Sequence, residues 1–351
     1  MKNVILILLF PFSLMAQEDI CFSFENESAP STALMPLTTP SGDVLINAVI
    51  HVIHHQSIPE SNLPLDVVTE SIDLLNADLA EANIQVNLSG VMYHDLAEYL
   101  LVESYLDGSM CFPAFNTQGE LNHFASQYTY DRFHYLNIYV HPRTCGSNLG
   151  FAYLYPTATN LADGVWVKTS AFGGSGEHLE AHRDLNRTLT HEFGHYAGLY
   201  HVFQGIDNCG EVVDNCEATQ DRVCDTAPTK VNTSCVNPTC PPAWNPIRPW
   251  ADYQHNNHMD YYVDSCRYHF TPGQVDRMHW YLNSFRSSAV NYEPCSNDIS
   301  GDNVVGVDEI LAVLSCWGFD CADLTGDDFT GVLDLNEILS QYGNDCNFFV
   351  Q

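Results

Sequence analysis

Between residues 44 and 290 the chain switches repeatedly between β-type and helix-type spacing of apolar residues. The stretch "VLINAVIHVIHH" (44–55) is a β-branched run that predicts a buried strand. In "PLDVVTESIDLLNADLAEA" (64–82), Val67, Val68, Ile72, Leu75 and Leu79 recur at helical spacing. "IQVNLSGVMYH" (84–94) alternates like a strand, "HYLNIYVHP" (134–142) predicts another, and "DGVWVKTS" (163–170) a short third β segment. "HRDLNRTLTHEFGHYAGLYH" (182–201) predicts a long helix. The chain is then loop-like to about Pro249, crowded with Cys, Asp, Asn and Pro. A further helix is expected at "TPGQVDRMHWYLNSF" (271–285), with Thr271 as N-cap and Pro272 at the first helical position. Strands interleaved with helices in this order predict an α/β sandwich.

The pattern changes after Cys295. No Lys or Arg follows, Asp is dense, and the sequence repeats itself. "DISGDNVVGVDEILAVLSCWGFDC" and "DLTGDDFTGVLDLNEILSQYGNDC" align at a spacing of 25 residues, which predicts a small duplicated domain over 295–351. Each unit fits a twelve-residue calcium loop followed by a helix. Asp298, Ser300 and Asp302 take positions 1, 3 and 5, Val304 offers its carbonyl at 7, and Glu309 stands at 12. The second set is Asp323, Thr325, Asp327, Phe329 and Asp334. Two calcium ions are therefore expected in the tail.

The 351 residues suffice for one large domain and this small one, and a hydrophobic content of 45% allows a sizeable core. The opening "MKNVILILLFPFSLMAQ" reads as a signal peptide over 1–16, with Lys2 before an apolar run too short to span a bilayer. A polar leader or short pro-segment (17–42) would precede the main domain (43–292). Secretion into an oxidising compartment agrees with 13 cysteines, an odd number that leaves at least one thiol outside intramolecular pairs. With 44 acidic and 12 basic residues, net −32, the chain lacks the clustered cations that nucleic acid or an anionic membrane surface requires. No later stretch is apolar enough to span a membrane, and no nucleophile elbow or phosphate loop is present.

The chemistry concentrates in "HEFGHYAGLYH" (191–201). Residues four apart share a helix face, so His191 and His195 can hold one zinc ion. Glu192 lies beside them as a general base. Gly198 lets the chain leave the helix in a tight turn, and His201 returns as the third ligand. The histidines of "HVIHH" (His51, His54, His55) read instead as core and edge residues.

The extended pattern resembles that of the metzincin metalloproteases. The flanking "DGVWVKTSAFG" and "NNHMDYYVDSCRYHFTPGQVDRM" are similar to the pappalysin family in particular, over about Val44 to Arg286. The resemblance implies an α/β (α+β) zinc-protease domain with a twisted mixed sheet and an active-site helix, cleaving proteins or peptides. It makes Met259 the methionine turn beneath the zinc and Tyr261 the tyrosine that stabilises the transition state. Asp225, Thr226 and Pro228 of "DRVCDTAP" fall in register with the family. Asp264 would face the pocket for the side chain after the cut bond, favouring Arg or Lys, or would lie on the surface. Asp207, Glu211, Asp214, Asp221 and Asp225 are either calcium ligands, as in family members, or solvated carboxylates. Cys21 is a candidate latency thiolate, with a structural disulfide as the alternative. The tail resembles type I dockerin modules, which implies a small α-helical EF-hand-like domain and a cohesin-like or cell-surface partner. It departs from them at Val307-Asp308 and Val332-Leu333 and in carrying Cys295, Cys316, Cys321 and Cys346. A non-catalytic calcium-dependent binding protein on the protease fold is the rival reading, and the retention of Glu192 distinguishes the two.

Overall fold

The computed structural model describes residues 22–24, 42–96, 102–103, 110–111, 118–142, 148–156, 160–205, 216, 220–226, 231, 256–293, 297–300, 304–319, 322–327, 329–343 and 349–350. The elements are β1 (Phe22–Phe24), β2 (Val44–His54), α1 (Leu65–Leu79), β3 (Ile84–Asp95), β4 (Val102–Glu103), β5 (Met110–Cys111), α2 (Gln118–Tyr128), β6 (Leu136–His141), β7 (Gly150–Tyr153), β8 (Val165–Lys168), α3 (Arg187–Tyr196), α4 (Pro272–Phe285), α5 (Val307–Ser315), α6 (Val332–Gln341) and β9 (Phe349–Val350). The signal segment, Cys21, Asp207, Glu211, Asp214 and Asp302 lie outside the described residues.

Seven strands form one mixed sheet in the order β1-β7-β8-β6-β2-β3-β9. All neighbours are parallel except β7, which runs against β8. β2 is central and buried at nearly every position, as its unbroken β-branched run requires. On one face, Ile46, Ala48, Ile50 and Val52 of β2 pack with Val68, Ile72, Leu75 and Leu79 of α1 and with Leu189 and Phe193 of α3. On the other, Ile53, Tyr139 and Trp166 pack with Leu121, Phe124 and Ala125 of α2. The sandwich thus has a second helical layer that the strand count did not predict. His51 is buried in this second face, bonded to His94 (3.0 Å) and to Asn137 Oδ1 (2.8 Å), in keeping with a core histidine.

Two elements depart from expectation. The active helix is shorter than 182–201, because His182 and Asn186 hold positive φ (68° and 60°) and the helix begins only at Arg187. Asn tolerates this left-handed conformation, and the buried Asn186 side chain stabilises it, accepting from Gly173 N (3.0 Å) and donating to Ser71 O (2.8 Å). β7 is four residues long and too short to declare itself by alternation. The capping of α4 is as expected, with Thr271 accepting from Gln274 N and the Gln274 side chain returning the bond to Thr271 N.

The tail is duplicated in structure as in sequence. Gly318 N donates to Thr330 O (3.0 Å), and Gly343 N donates to Val305 O (2.7 Å). A shift of 25 residues exchanges the two bonds. The units share the small core of Val305, Val313, Ala322 and Ile338. Disulfides agree with an oxidising compartment. Cys216 and Cys224 are bridged, and Cys266 and Cys316 are also disulfide-bonded. The tail is not a free appendage, since β9 pairs with β3 at Gly90 and Val91.

Arg286, just beyond α4, ties the layers together. Its guanidinium meets Asp163 at 2.8 and 3.0 Å, donates to Tyr196 O and Tyr153 O (2.9 Å each), and stacks on the Tyr196 ring. Both charged groups are buried. Arg286→Met leaves Asp163 as an uncompensated buried charge. The expected loss is about 3–5 kcal/mol of folding stability, read from denaturant unfolding of the variant against the parent.

Candidate active site

The three motif histidines converge. His195 Nε2 lies 3.2 Å from His191 Nε2 and 3.0 Å from His201 Nε2, and all three residues are buried. His191 and His195 come from successive turns of α3. The chain then turns at Gly198, whose φ of +89° suits glycine and whose missing side chain makes room for the Tyr281 ring. That turn returns His201 to the others.

The outward nitrogens are already committed. His191 Nδ1 donates to His258 O (2.6 Å), and His195 Nδ1 donates to Leu199 O (2.8 Å). With protons fixed on Nδ1, the Nε2 lone pairs face one another. Burial holds the imidazoles in this neutral form: it pushes His195 down to about 4 and, with the neighbouring histidines, His191 and His201 well below the usual range. Neutral lone pairs at such distances repel unless a cation lies between them. In a tetrahedral zinc site with Zn–N of about 2.0–2.1 Å, neighbouring nitrogens stand about 3.3 Å apart. The donor set therefore fits zinc.

The methionine turn supplies the second support. Met259 is fully buried against Gly194, and the carbonyl of the preceding His258 is the one that orients His191. The turn is held by Asn257, whose side-chain amide exchanges two bonds with that of Gln274 in α4 (2.7 and 3.1 Å) and accepts from Met259 N (2.9 Å). Tyr261 is half-buried, its ring 4.9 Å from that of His201 and 5.9 Å from that of His191. It lines a small cleft together with Leu149, Arg183, Thr188, His191, Glu192 and Arg267.

Glu192 is fully buried at the edge of this cleft. Gly150 of β7 lies against it, and a methyl group at that position would come within 2.8 Å of Glu192 Cγ and Oε1 and of Trp166 O. Gly150 was not anticipated, because the sequence gives no sign that β7 passes the motif helix.

Asp264 is neither on the surface nor among the residues that line the cleft. It is buried beneath the start of α3, where Oδ2 accepts from Leu185 N (3.1 Å) and Arg187 N (3.3 Å). Oδ1 accepts from Arg267 Nη2 (2.8 Å), and Arg183 Nη1 stands 3.7 Å away. A helix N-terminus with no capping side chain of its own draws a carboxylate, and this carboxylate in turn draws the arginines. Asp225 and Asp221 are likewise engaged. Asp225 caps α4, accepting from Thr271 Oγ1 (2.7 Å) and Gly273 N (2.8 Å). Asp221 accepts from Thr226 Oγ1 and Val223 N. Neither belongs to a cluster of potential metal ligands among the described residues.

In the tail, oxygens of Asp323, Asp327 and Asp334 lie within 4.8 Å of one another. Asp334 accepts from Gly331 N (2.6 Å), Leu324 N (2.8 Å) and Thr325 N (3.1 Å). These bonds, that from Gly331 first, pull its carboxyl down to about 2. The stabilisation is present above the usual carboxylate range and is lost only as pH falls through that value. Glu309 repeats the arrangement, accepting from Gly306 N (2.6 Å) and Ser300 N (3.1 Å). Asp298 and Ser300 adjoin in the first loop (3.3 Å). Val304 and Phe329 are exposed.

A buried helix that carries two of three convergent imidazoles, with its glutamate lining a cleft beside them, is the arrangement of a metalloprotease. Comparison with known proteins agrees. The peptidase M43 family, described as Pregnancy-associated plasma protein-A, matches residues 119–283. An extracellular metalloprotease of Arthroderma benhamiae is 30% identical over 265 residues, 73% of this chain and 78% of the relative. One of Verticillium alfalfae is 29% identical over 269 residues, 71% and 79% of the two chains. Among solved structures, mirolysin in complex with compound 9 superposes with a TM-score of 0.54 at 25% identity, covering 71% of this chain and 96% of that one. Mature mirolysin of Tannerella forsythia in complex with a cleaved peptide gives 0.53 at 24% identity, again over 71% and 96%. The chain belongs to the M43 family of metalloproteases.

The contact between Gly150 and Glu192 can be tested. Gly150→Ala is expected to displace Glu192 while leaving the histidines in place. Hydrolysis of casein should fall on the order of 10²-fold, with metal content by elemental analysis unchanged.

Proposed function

We propose that the protein is a secreted zinc endopeptidase in which His191, His195 and His201 hold the metal and Glu192 moves the proton. The observation that carries this reading is the meeting of three Nε2 atoms at 3.0–3.2 Å with Glu192 one residue along the same helix. Zinc, when bound, lowers the pKa of a coordinated water to about 7 and polarises the peptide carbonyl.

Glu192 takes up a proton as the peptide is attacked and delivers it to the departing amine. Its burial against Gly150 holds the carboxylate in one position for both transfers. The phenol of Tyr261, beside His201, donates to the oxyanion that forms. Met259 supports the histidines from below, through His258 and Gly194. Secretion is supported by the export-type start of the chain and by relatives named extracellular metalloproteases. Retention of the base together with all three imidazoles favours catalysis over the rival binding protein.

The tail is proposed to bind calcium, one ion in each loop, and to anchor or dock the enzyme. The support is the repeat of Asp and Ser or Thr at fixed offsets, together with the Asp323, Asp327 and Asp334 cluster.

Glu192→Ala should keep its zinc and fold and lose proteolysis, whereas His201→Ala should lose most of the metal. Casein cleavage at the parental rate by the first variant would remove Glu192 from the mechanism. For the tail, calcium should raise the melting temperature of the full chain, because an ion that binds only the folded state stabilises it. Asp298→Ala with Asp323→Ala should abolish that rise in differential scanning calorimetry.

A further inference from the structure

Helix α4 contributes no residue to the histidine cluster, yet it is linked to two of the three imidazoles from behind. Gln274 and Arg277 stand three residues apart and so share one face of α4, and both are buried. Each is connected through the main chain to a different histidine.

The first link runs through the methionine turn. His191 Nδ1 donates to His258 O (2.6 Å). The N–H of that same peptide group, Met259 N, donates to Asn257 Oδ1 (2.9 Å). Gln274 fixes Asn257 in turn, donating to its Oδ1 (3.1 Å) and accepting from its Nδ2 (2.7 Å). Gln274 Oε1 also accepts from Thr271 N (2.9 Å). Two main-chain donors, Met259 N and Thr271 N, thus decide which atom of each amide is the oxygen, and neither amide can turn over without losing them.

The second link runs through the turn after α3. His195 Nδ1 donates to Leu199 O (2.8 Å). The preceding peptide, between Gly198 and Leu199, is held at both ends. Leu199 N donates to Gly194 O (2.9 Å), and Gly198 O accepts from Arg277 Nε (2.8 Å). Glycine leaves that peptide free to rotate, and the arginine opposes the rotation. Its guanidinium is itself placed by the rings of Tyr200 and Trp280, at 5.3 and 5.5 Å.

These links matter because the histidines do not hold their arrangement by themselves. His195 Nε2 lies 3.2 and 3.0 Å from the other two Nε2 atoms, and their lone pairs repel. An imidazole that loses its Nδ1 acceptor can rotate away or move its proton to Nε2, and a protonated Nε2 has no lone pair for a metal. The carbonyls of His258 and Leu199 oppose both changes, and α4 fixes the peptides that carry or precede them.

We propose that Gln274 and Arg277 are positioning residues for zinc, setting its affinity from a helix that supplies no ligand. The proposal rests on the zinc reading above.

The test uses the full-length protein. Zinc affinity is read by competition against a chelator, and the melting temperature of the zinc-free protein is read alongside by calorimetry. Arg277→Met and Gln274→Met keep the length of each side chain and remove its donor. Each is expected to weaken zinc binding about 10-fold or more, with the zinc-free protein still folded. Arg277→Gln places an amide N–H as many bonds along the side chain as Nε and should recover most of the loss, because the turn requires the donor rather than the charge. If Gln274→Met does not fold, Asn257→Ser serves, since its hydroxyl still accepts from Met259 N while the link to Gln274 is gone. The same loss of affinity is expected from it. Unchanged zinc affinity, a loss confined to variants whose zinc-free form has unfolded, or binding by Arg277→Gln as weak as by Arg277→Met overturns the proposal and leaves the zinc reading intact. A parent protein that takes up no zinc overturns both.

Discussion

Everything in the site depends on burying α3 and on satisfying its two ends. From Thr188 to Tyr196 every residue of the helix is buried. A helix leaves unpaired amides at one end and unpaired carbonyls at the other. Here the partners are charged and opposite in sign. Asp264 accepts from the amides at the start. Past the end, Arg286 Nε donates to Tyr196 O (2.9 Å) and Arg277 Nε donates to Gly198 O (2.8 Å). Each charge matches the pole of the helix dipole that it faces. The histidines are thus held by a helix that cannot slide or fray without stripping buried ions of their partners.

These partners explain what could and could not be read from the sequence. The histidines and Glu192 were legible because helix geometry converts their spacing directly into proximity. Met259 and Tyr261 were legible because their motif fixes them beside the helix. Asp264 was misplaced: sequence shows a carboxylate near the methionine turn but not that a helix start 77 residues earlier lies above it. Gly150 and Asp163 escaped for the same reason, since each matters through one contact with a distant residue. Helix α2 is a different case. Leu121, Phe124, Ala125 and Tyr128 follow helical spacing, and the element was legible though not anticipated.

The chain prepares its two sets of metal-type donors by opposite means. At the histidine centre, burial removes water and keeps the imidazoles uncharged, with carbonyls of His258 and Leu199 fixing which nitrogen carries the proton. In the tail, backbone amides gather around Asp334 and Glu309 and keep the carboxylates charged. The first device needs a large core on all sides. The second needs only a loop and the first turn of a helix, which is why it works in a unit whose core, among the described residues, centres on Val305, Val313, Ala322 and Ile338.

The pairing of β9 with β3 changes what kind of object the tail is. Residues 293 to 349 leave and re-enter the main body at two places, near Asn47, which donates to Tyr292 O (2.6 Å), and at Gly90. Asn47 and Asn87, on adjacent strands, are themselves bonded (2.9 Å), so the two anchor points lie on the same pair of strands. The tail is a closed handle rather than a tether. A load applied to it is divided between both anchors, so neither one alone has to bear it.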